Sequence, residues 1–161
     1  MVLGFEAGLQ VWREGAGPLN LTELALGYLG QAEARLRYAN SALGEGNNPL
    51  AVRLAQECVE LCVKAELRAV AIEYPKQHEV SVLLAQFGER FPQWFRDEIP
   101  FTHEASVSLF KLRELAFYGG ENTALPPDKV ISKEDGKRAV DHAQRVFRTC
   151  KKLLGEAESR P

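Results

Sequence analysis

Arg113 and Tyr118 stand five residues apart in the stretch RELAFYGG, which is either an ordinary helix end or a place for chemistry on a phosphate. A guanidinium stays charged at every relevant pH and presents a planar fork of donors that matches phosphate oxygens. A phenol with a pKa near ~10 is almost wholly protonated at neutral pH, which makes Tyr118 a poor base but an available hydrogen-bond donor. Five residues turn through about 140° on a regular helix. The two side chains therefore converge only if the helix loosens ahead of Gly119, or if they come from different subunits. The plainer alternatives are an ion-paired arginine and an aromatic anchor at a helix end.

Other candidates are spread more widely. Arg138, Arg145, Arg148 and Lys152 recur at offsets of seven, ten and fourteen, on one side of a helix. They are either a solvated face diluted by Asp141 or, if nucleic acid is bound, a track for backbone phosphates. His78 sits where a helix is expected to start and suits capping or packing. His103 precedes Arg113 by ten residues, ~15 Å along a helix, so it can meet that arginine only across a dimer. His142 lies beside an apolar face as a boundary residue. Trp94 and Phe95, near Phe91 and Phe101, read as a packed cap rather than a base-stacking platform. Cys58, Cys62 and Cys150 make neither an even disulfide set nor, with any His, Asp or Glu, a metal-type spacing, and this fits a reducing compartment. No metal or cofactor is expected.

These residues need elements to position them, and the pattern supplies helices. The 161 residues suit one domain, 1–161, with a core over about 20–154. Lys+Arg number 20 and Asp+Glu 22, a net charge of -2 that exerts no global pull toward nucleic acid or membrane. No apolar run approaches the ~18 residues that span a bilayer, and Glu6 interrupts the start, so a soluble cytoplasmic protein is expected.

An irregular lead-in runs to Pro18. Asn20 and Glu23 then form a capping-box-like start for a first helix over 21–43. A second helix, over 49–73, is apolar on so wide a surface that it should be central. A third is expected from 78 or 79 to 91. One or two turns bounded by Pro92 and Pro100 follow, then a fourth helix over 102–118 stopped by Gly119 in a left-handed C-cap. Ser132 and Asp135 start the fifth, which runs to about 154. The expected fold is all-α, an antiparallel bundle of four to five main helices. On the fourth helix Ala105, Leu109, Leu112 and Ala116 form one apolar stripe and Val107, Phe110 and Phe117 a second, which fits either a second neighbour within the bundle or another subunit.

The order of these segments resembles the HEPN domain family. The second helix carries Ala55, Gln56, Val59, Glu60, Lys64 and Ala65 in an Ala-Gln-x-x-Val-Glu-x-x-x-Lys-Ala pattern, followed by Pro75 and His78. ISKEDGKRAVDHAQRVFRTCKKLL is similar to the family's last helix. The resemblance implies a helical bundle that forms a homodimer, for which the second stripe, Val107, Phe110 and Phe117, is the interface candidate. It also implies RNA or a nucleotide as ligand and, in many members, metal-independent ribonuclease activity of a toxin-like kind. The family's hallmark is an arginine followed by a histidine near the end of the penultimate helix. Arg113 and Tyr118 occupy those places as the catalytic candidates, so tyrosine stands where histidine is usual. Some relatives pair with a minimal nucleotidyltransferase that can modify a tyrosine with AMP. A ribonuclease, a catalytically inactive RNA- or nucleotide-binding module and a protein-interaction partner all remain open.

Overall fold

Four long helices make up most of the structure, a computed structural model that describes residues 17–158. They are α1 (Gly17–Gly44), α2 (Asn48–Ala69), α4 (Gln93–Tyr118) and α6 (Lys133–Glu158), with short α3 (Val82–Gln86) and α5 (Pro127–Val130) in the connections. Single 3-10 turns lie at Gly88–Arg90 and Glu121–Thr123. No strand occurs among the described residues; one isolated antiparallel bridge joins Gly120 to Leu125. The expected lead-in up to residue 16 and the last three residues lie outside the described range.

The fold is the expected all-α bundle, and α2 is its centre, packed on α1, α4 and α6. Small side chains let these helices approach closely. Ala25, Ala32, Ala39 and Ala42 of α1 are buried, as are Ala51, Ala55, Cys58, Cys62 and Ala65 of α2, while Ala139, Ala143, Val146 and Cys150 close the core from α6. Phe95, Leu67, Ile72 and Leu84 are the bulkiest of the fully buried side chains.

Helix ends follow local chemistry. Asn47 caps α2, its Oδ1 accepting the Leu50 N–H at 3.3 Å, and Pro49 falls in the first turn where its missing N–H loses nothing. α6 opens on a reciprocal box. The Asp135 N–H donates to Ser132 Oγ at 3.0 Å, and the Ser132 N–H donates to Asp135 Oδ2 at 2.9 Å.

Four boundaries differ from expectation. α1 begins at Gly17, so Asn20 lies inside the helix instead of capping it; Pro18 is accommodated in the first turn. α2 stops at Ala69, four residues early. Ala71 takes φ 60° there, with its N–H on Arg68 O (3.1 Å) and the Ile72 N–H on Leu67 O (2.9 Å). That bond pair is a Schellman ending built on alanine rather than glycine, and the buried Ile72 secures it.

The expected third helix is broken. Residues 76–80 stay non-helical because His78 and Glu79 are tied to other elements, and only 82–86 form α-helix before the 3-10 turn. The turns after Pro92 and the helix from Thr102 are one element, α4. Pro100 sits inside it on the exposed side, where the carbonyl that proline leaves unpaired, that of Arg96, can meet water, while Phe95, Ile99 and Thr102 hold the opposite side in the core.

Candidate functional site

The last turns of α4 present chemistry to solvent. Ala105, Leu109 and Ala116 are buried with Leu112 packed beside them, so the first apolar stripe faces the bundle. The second does not. Phe110 and Phe117 remain 41% and 46% exposed, Tyr118 is 61% exposed, and Val107 is half-buried. An open groove of about 660 Å³ follows this face, lined by His78, Phe110, Lys111, Arg113, Glu114, Phe117 and Tyr118. A second recess of about 480 Å³ lies on the other side of Lys111, Glu114 and Tyr118 and runs to Gly119, Gly120 and Thr123.

Gly119 fixes where the groove ends. Its N–H donates to Leu115 O at 2.8 Å, closing a helix that stays regular through Tyr118, so α4 does not loosen ahead of the glycine. Its torsions, φ 76° and ψ -163°, are not those of the expected left-handed cap but lie in a region essentially reserved for glycine. A Cβ here would also run into Leu125 O and the Pro126 backbone. Arg113 and Tyr118 line one groove despite their angular separation, with Phe117 between them; the rings of Phe117 and Tyr118 lie 4.6 Å apart at 53°. Among the described residues no carboxylate pairs with Arg113, which is half-buried.

Beyond α4 the groove is lined by His78 of the segment after α2, and α2 side chains stand behind these residues. The Arg53 guanidinium lies 4.0 Å from the Phe117 ring centre. Two turns further along α2, Glu60 reaches His78, whose Nδ1 lies 3.1 and 3.3 Å from its two carboxylate oxygens. The His78 ring stacks on Phe110 at 6.4 Å between centres. Arg53 lies on Phe117 and Glu60 is linked through His78 to Phe110, so α2 and α4 run antiparallel along the groove.

Glu60 is held on both sides. Gln56 Nε2 donates to Oε2 and Lys64 Nζ to Oε1, each at 2.9 Å. Burial works to raise its pKa, but the hydrogen bonds from Gln56 and Lys64, the lysine's charge and the contact with His78 outweigh it, so the carboxyl ionises below its ordinary range. Gln56, Glu60, Lys64 and His78, which in the sequence are only a spaced pattern, thus form one connected network ending at the groove.

The remaining candidates lie elsewhere. Arg145 forks onto Glu98 (Nε to Oε2 3.1 Å, Nη2 to Oε1 3.2 Å) and covers Phe101 with its guanidinium carbon 3.8 Å from the ring centre. Lys152 lies 4.0 Å from the Trp94 ring centre, and Arg138 stands 3.8 Å from Asp135. Arg148 is exposed. This side of α6 therefore fastens the first half of α4, ~18 Å along the helix from Arg113, and does not line the groove.

Trp94 belongs to a packed cap, stacked edge-on against Phe95 and donating from Nε1 to Glu156 at 3.0 Å. His103 bonds Ser81 Oγ through Nδ1 at 2.7 Å, within its own chain. His142 meets Phe101 edge-on; burial first, then the Arg138 charge, hold its pKa down. The three cysteines are buried thiols with raised pKa values, and no cluster among the described residues could hold a metal.

Sequence reasoning missed Glu66. It is fully buried, neither oxygen has a hydrogen-bond partner, and burial pushes its pKa far above the carboxylate range. The signal was its position four residues after Cys62 and seven after Val59, on the buried face of α2.

The sequence profile of the HEPN domain family matches residues 25–153. Among solved structures the chain is similar to ST0689, an archaeal HEPN homologue, at 24% identity and a TM-score of 0.60, covering 81% of this chain and 97% of that one. It is similar also to TT1696 from Thermus thermophilus, at 21% identity and a TM-score of 0.59, covering 80% and 97%. The search of curated proteins found no match. A helical bundle with this order of elements is the HEPN architecture. The chain belongs to the HEPN family. No helix of the described residues is long and apolar enough to cross a membrane.

Proposed function

We propose that the groove along the end of α4 binds single-stranded RNA, with Arg113 as the principal phosphate ligand and Lys111 as a second. One observation carries this reading. Lys111, Arg113 and the neighbouring Arg53 converge with three exposed aromatic rings, those of Phe110, Phe117 and Tyr118, on a single surface. Cations that follow a backbone, interleaved with rings on which bases stack, are what single strands require, and a free nucleotide would use the same groups. The absence of a carboxylate partner leaves the Arg113 fork available to phosphate oxygens. Arg145 and Lys152 of α6 hold helices together in this reading, and the α6 cations extend no track into the groove.

The test is fluorescence anisotropy of a labelled single-stranded RNA against increasing salt. Arg113→Ala should weaken binding by about 10- to 100-fold, as expected for loss of a charge-assisted hydrogen-bond pair, and flatten the salt slope by about one. Arg145→Ala should leave both unchanged. Equal affinity for wild type and Arg113→Ala refutes the assignment.

The alternative occupant of the Val107, Phe110 and Phe117 face is a second copy of the chain, which would leave Tyr118 as the ring open to a base. Exposed aromatics in a row are the anchors that symmetric interfaces bury. Such a dimer would place two Arg113 side chains near one cleft.

A further inference from the structure

We propose that His78, delivered from the segment between α2 and α3 and positioned by Glu60, is the proton-transfer group of this groove, in the role that the tyrosine at the end of α4 is unsuited to fill. This rests on the groove binding RNA. The chemistry starts from tautomers. A carboxylate accepts but cannot donate, so Glu60, when faced by a neutral imidazole, fixes the hydrogen on Nδ1 and leaves the Nε2 lone pair as an acceptor. The carboxylate cannot wander, because Gln56 and Lys64 hold its two oxygens. The imidazole is accessible, with 58% of its side chain exposed, and its ring lies against Phe110, one helical turn, ~4.5 Å of rise, before Arg113. Glu60 and Lys64 face it from α2, and Lys111, Arg113 and Glu114 share the groove from α4. A base oriented by a carboxylate and set beside a phosphate-binding guanidinium is the minimum equipment for attack by a ribose hydroxyl on its own phosphodiester.

The step balances without metal or redox change. Nε2 of neutral His78 takes the proton of a 2′-hydroxyl, the 2′-oxygen bonds to the adjacent phosphorus, and the bond from phosphorus to the 5′-oxygen breaks. The departing 5′-oxygen takes a proton from water, and the imidazolium returns its own to solvent. The products are a 2′,3′-cyclic phosphate and a 5′-hydroxyl end. Arg113 faces the charge that builds on the non-bridging oxygens. Glu60 stabilises the imidazolium and is a positioning residue.

The experiment measures binding and cleavage on the same single-stranded RNA in EDTA, with products identified by mass. Wild type should release cyclic-phosphate ends at a rate that rises with pH through a single inflection to a plateau, as required of a base that acts when neutral. His78→Ala should lose about a hundredfold or more of that rate, and the inflection, a loss far larger than any change in its affinity at pH 8. Added imidazole should restore part of the rate. Glu60→Gln should slow the reaction and move the inflection to lower pH, a displacement that mere loosening of the segment would not produce. His78→Gln, checked by circular dichroism, guards against a fold defect in the alanine variant. Binding without cleavage by wild type overturns the proposal and leaves the RNA-binding reading standing. Undiminished cleavage by both folded His78 variants overturns it too, and failure of wild type to bind RNA removes both.

Discussion

Glu66 is a carboxyl among thiols, between α2 and α6, with no hydrogen-bond partner for either oxygen. Its folded pKa is raised, so the proton stays on in the native state well above the ordinary 4.5. Below that value folded and unfolded chains are both protonated and the site is neutral to pH. Above it only the unfolded chain releases the proton, and stability falls as pH rises toward the folded pKa. Glu66→Met, similar in length and apolar, should stabilise the protein by about 1–3 kcal/mol, the cost of burying an unpaired polar group. Urea unfolding should show a larger gain at pH 8 than at pH 5; an equal gain at both would mean that the native carboxyl is ionised. At this scale the sequence was partly legible. Arg113 and Tyr118 were visible as candidates through the resemblance to the HEPN family. The pairing of Glu60 with His78 was not, because 18 residues and a chain reversal separate them and no periodicity encodes that approach. The helix start at which His78 was expected is absent from the structure, and the residue packs against Phe110 instead.

Helix endings are the elements on which the groove's geometry depends, and two of them make opposite predictions. At Ala71 the φ of 60° strains a residue that carries a Cβ, so Ala71→Gly should stabilise by about 1 kcal/mol, read as a higher urea midpoint at unchanged slope. At Gly119 the reverse holds. Gly119→Ala should cost about 1–3 kcal/mol, more if the Pro126 backbone fails to yield, and should shift Tyr118 out of the groove. Melting temperature and RNA affinity of that variant should fall together. Helix existence was read correctly for all four long helices because each has an uninterrupted apolar face. Boundaries were read less well where the deciding contact is tertiary. Pro100 signalled a stop, yet Phe95, Ile99 and Thr102 are buried on one continuous face of α4, and an exposed proline is too small an obstacle to divide it.

For the whole molecule the open question is what covers Phe110 and Phe117. Light scattering at micromolar concentration should give twice the chain mass, and Phe110→Glu with Phe117→Glu should give one chain mass with unchanged helicity. A wild-type monomer would remove the second copy from the groove. The bundle was the most legible level, since a central α2 follows from the width of its apolar surface. Which faces stay uncovered was not legible, because a buried stripe and an unpartnered one have the same composition: Leu109 and Phe110 are adjacent in sequence, one 1% and the other 41% exposed.

The proline within α4 has a further consequence. Upstream of it the helix is fastened to α6 through Glu98 and Trp94; further downstream it lies against α2 through Arg53, with His78 stacked on Phe110. One rung of the backbone ladder is missing between the two fastenings. α4 is thus a single rod with a soft joint, moored at each end to a different neighbour. Its groove end can adjust its seating on α2 while the other end keeps its grip on α6.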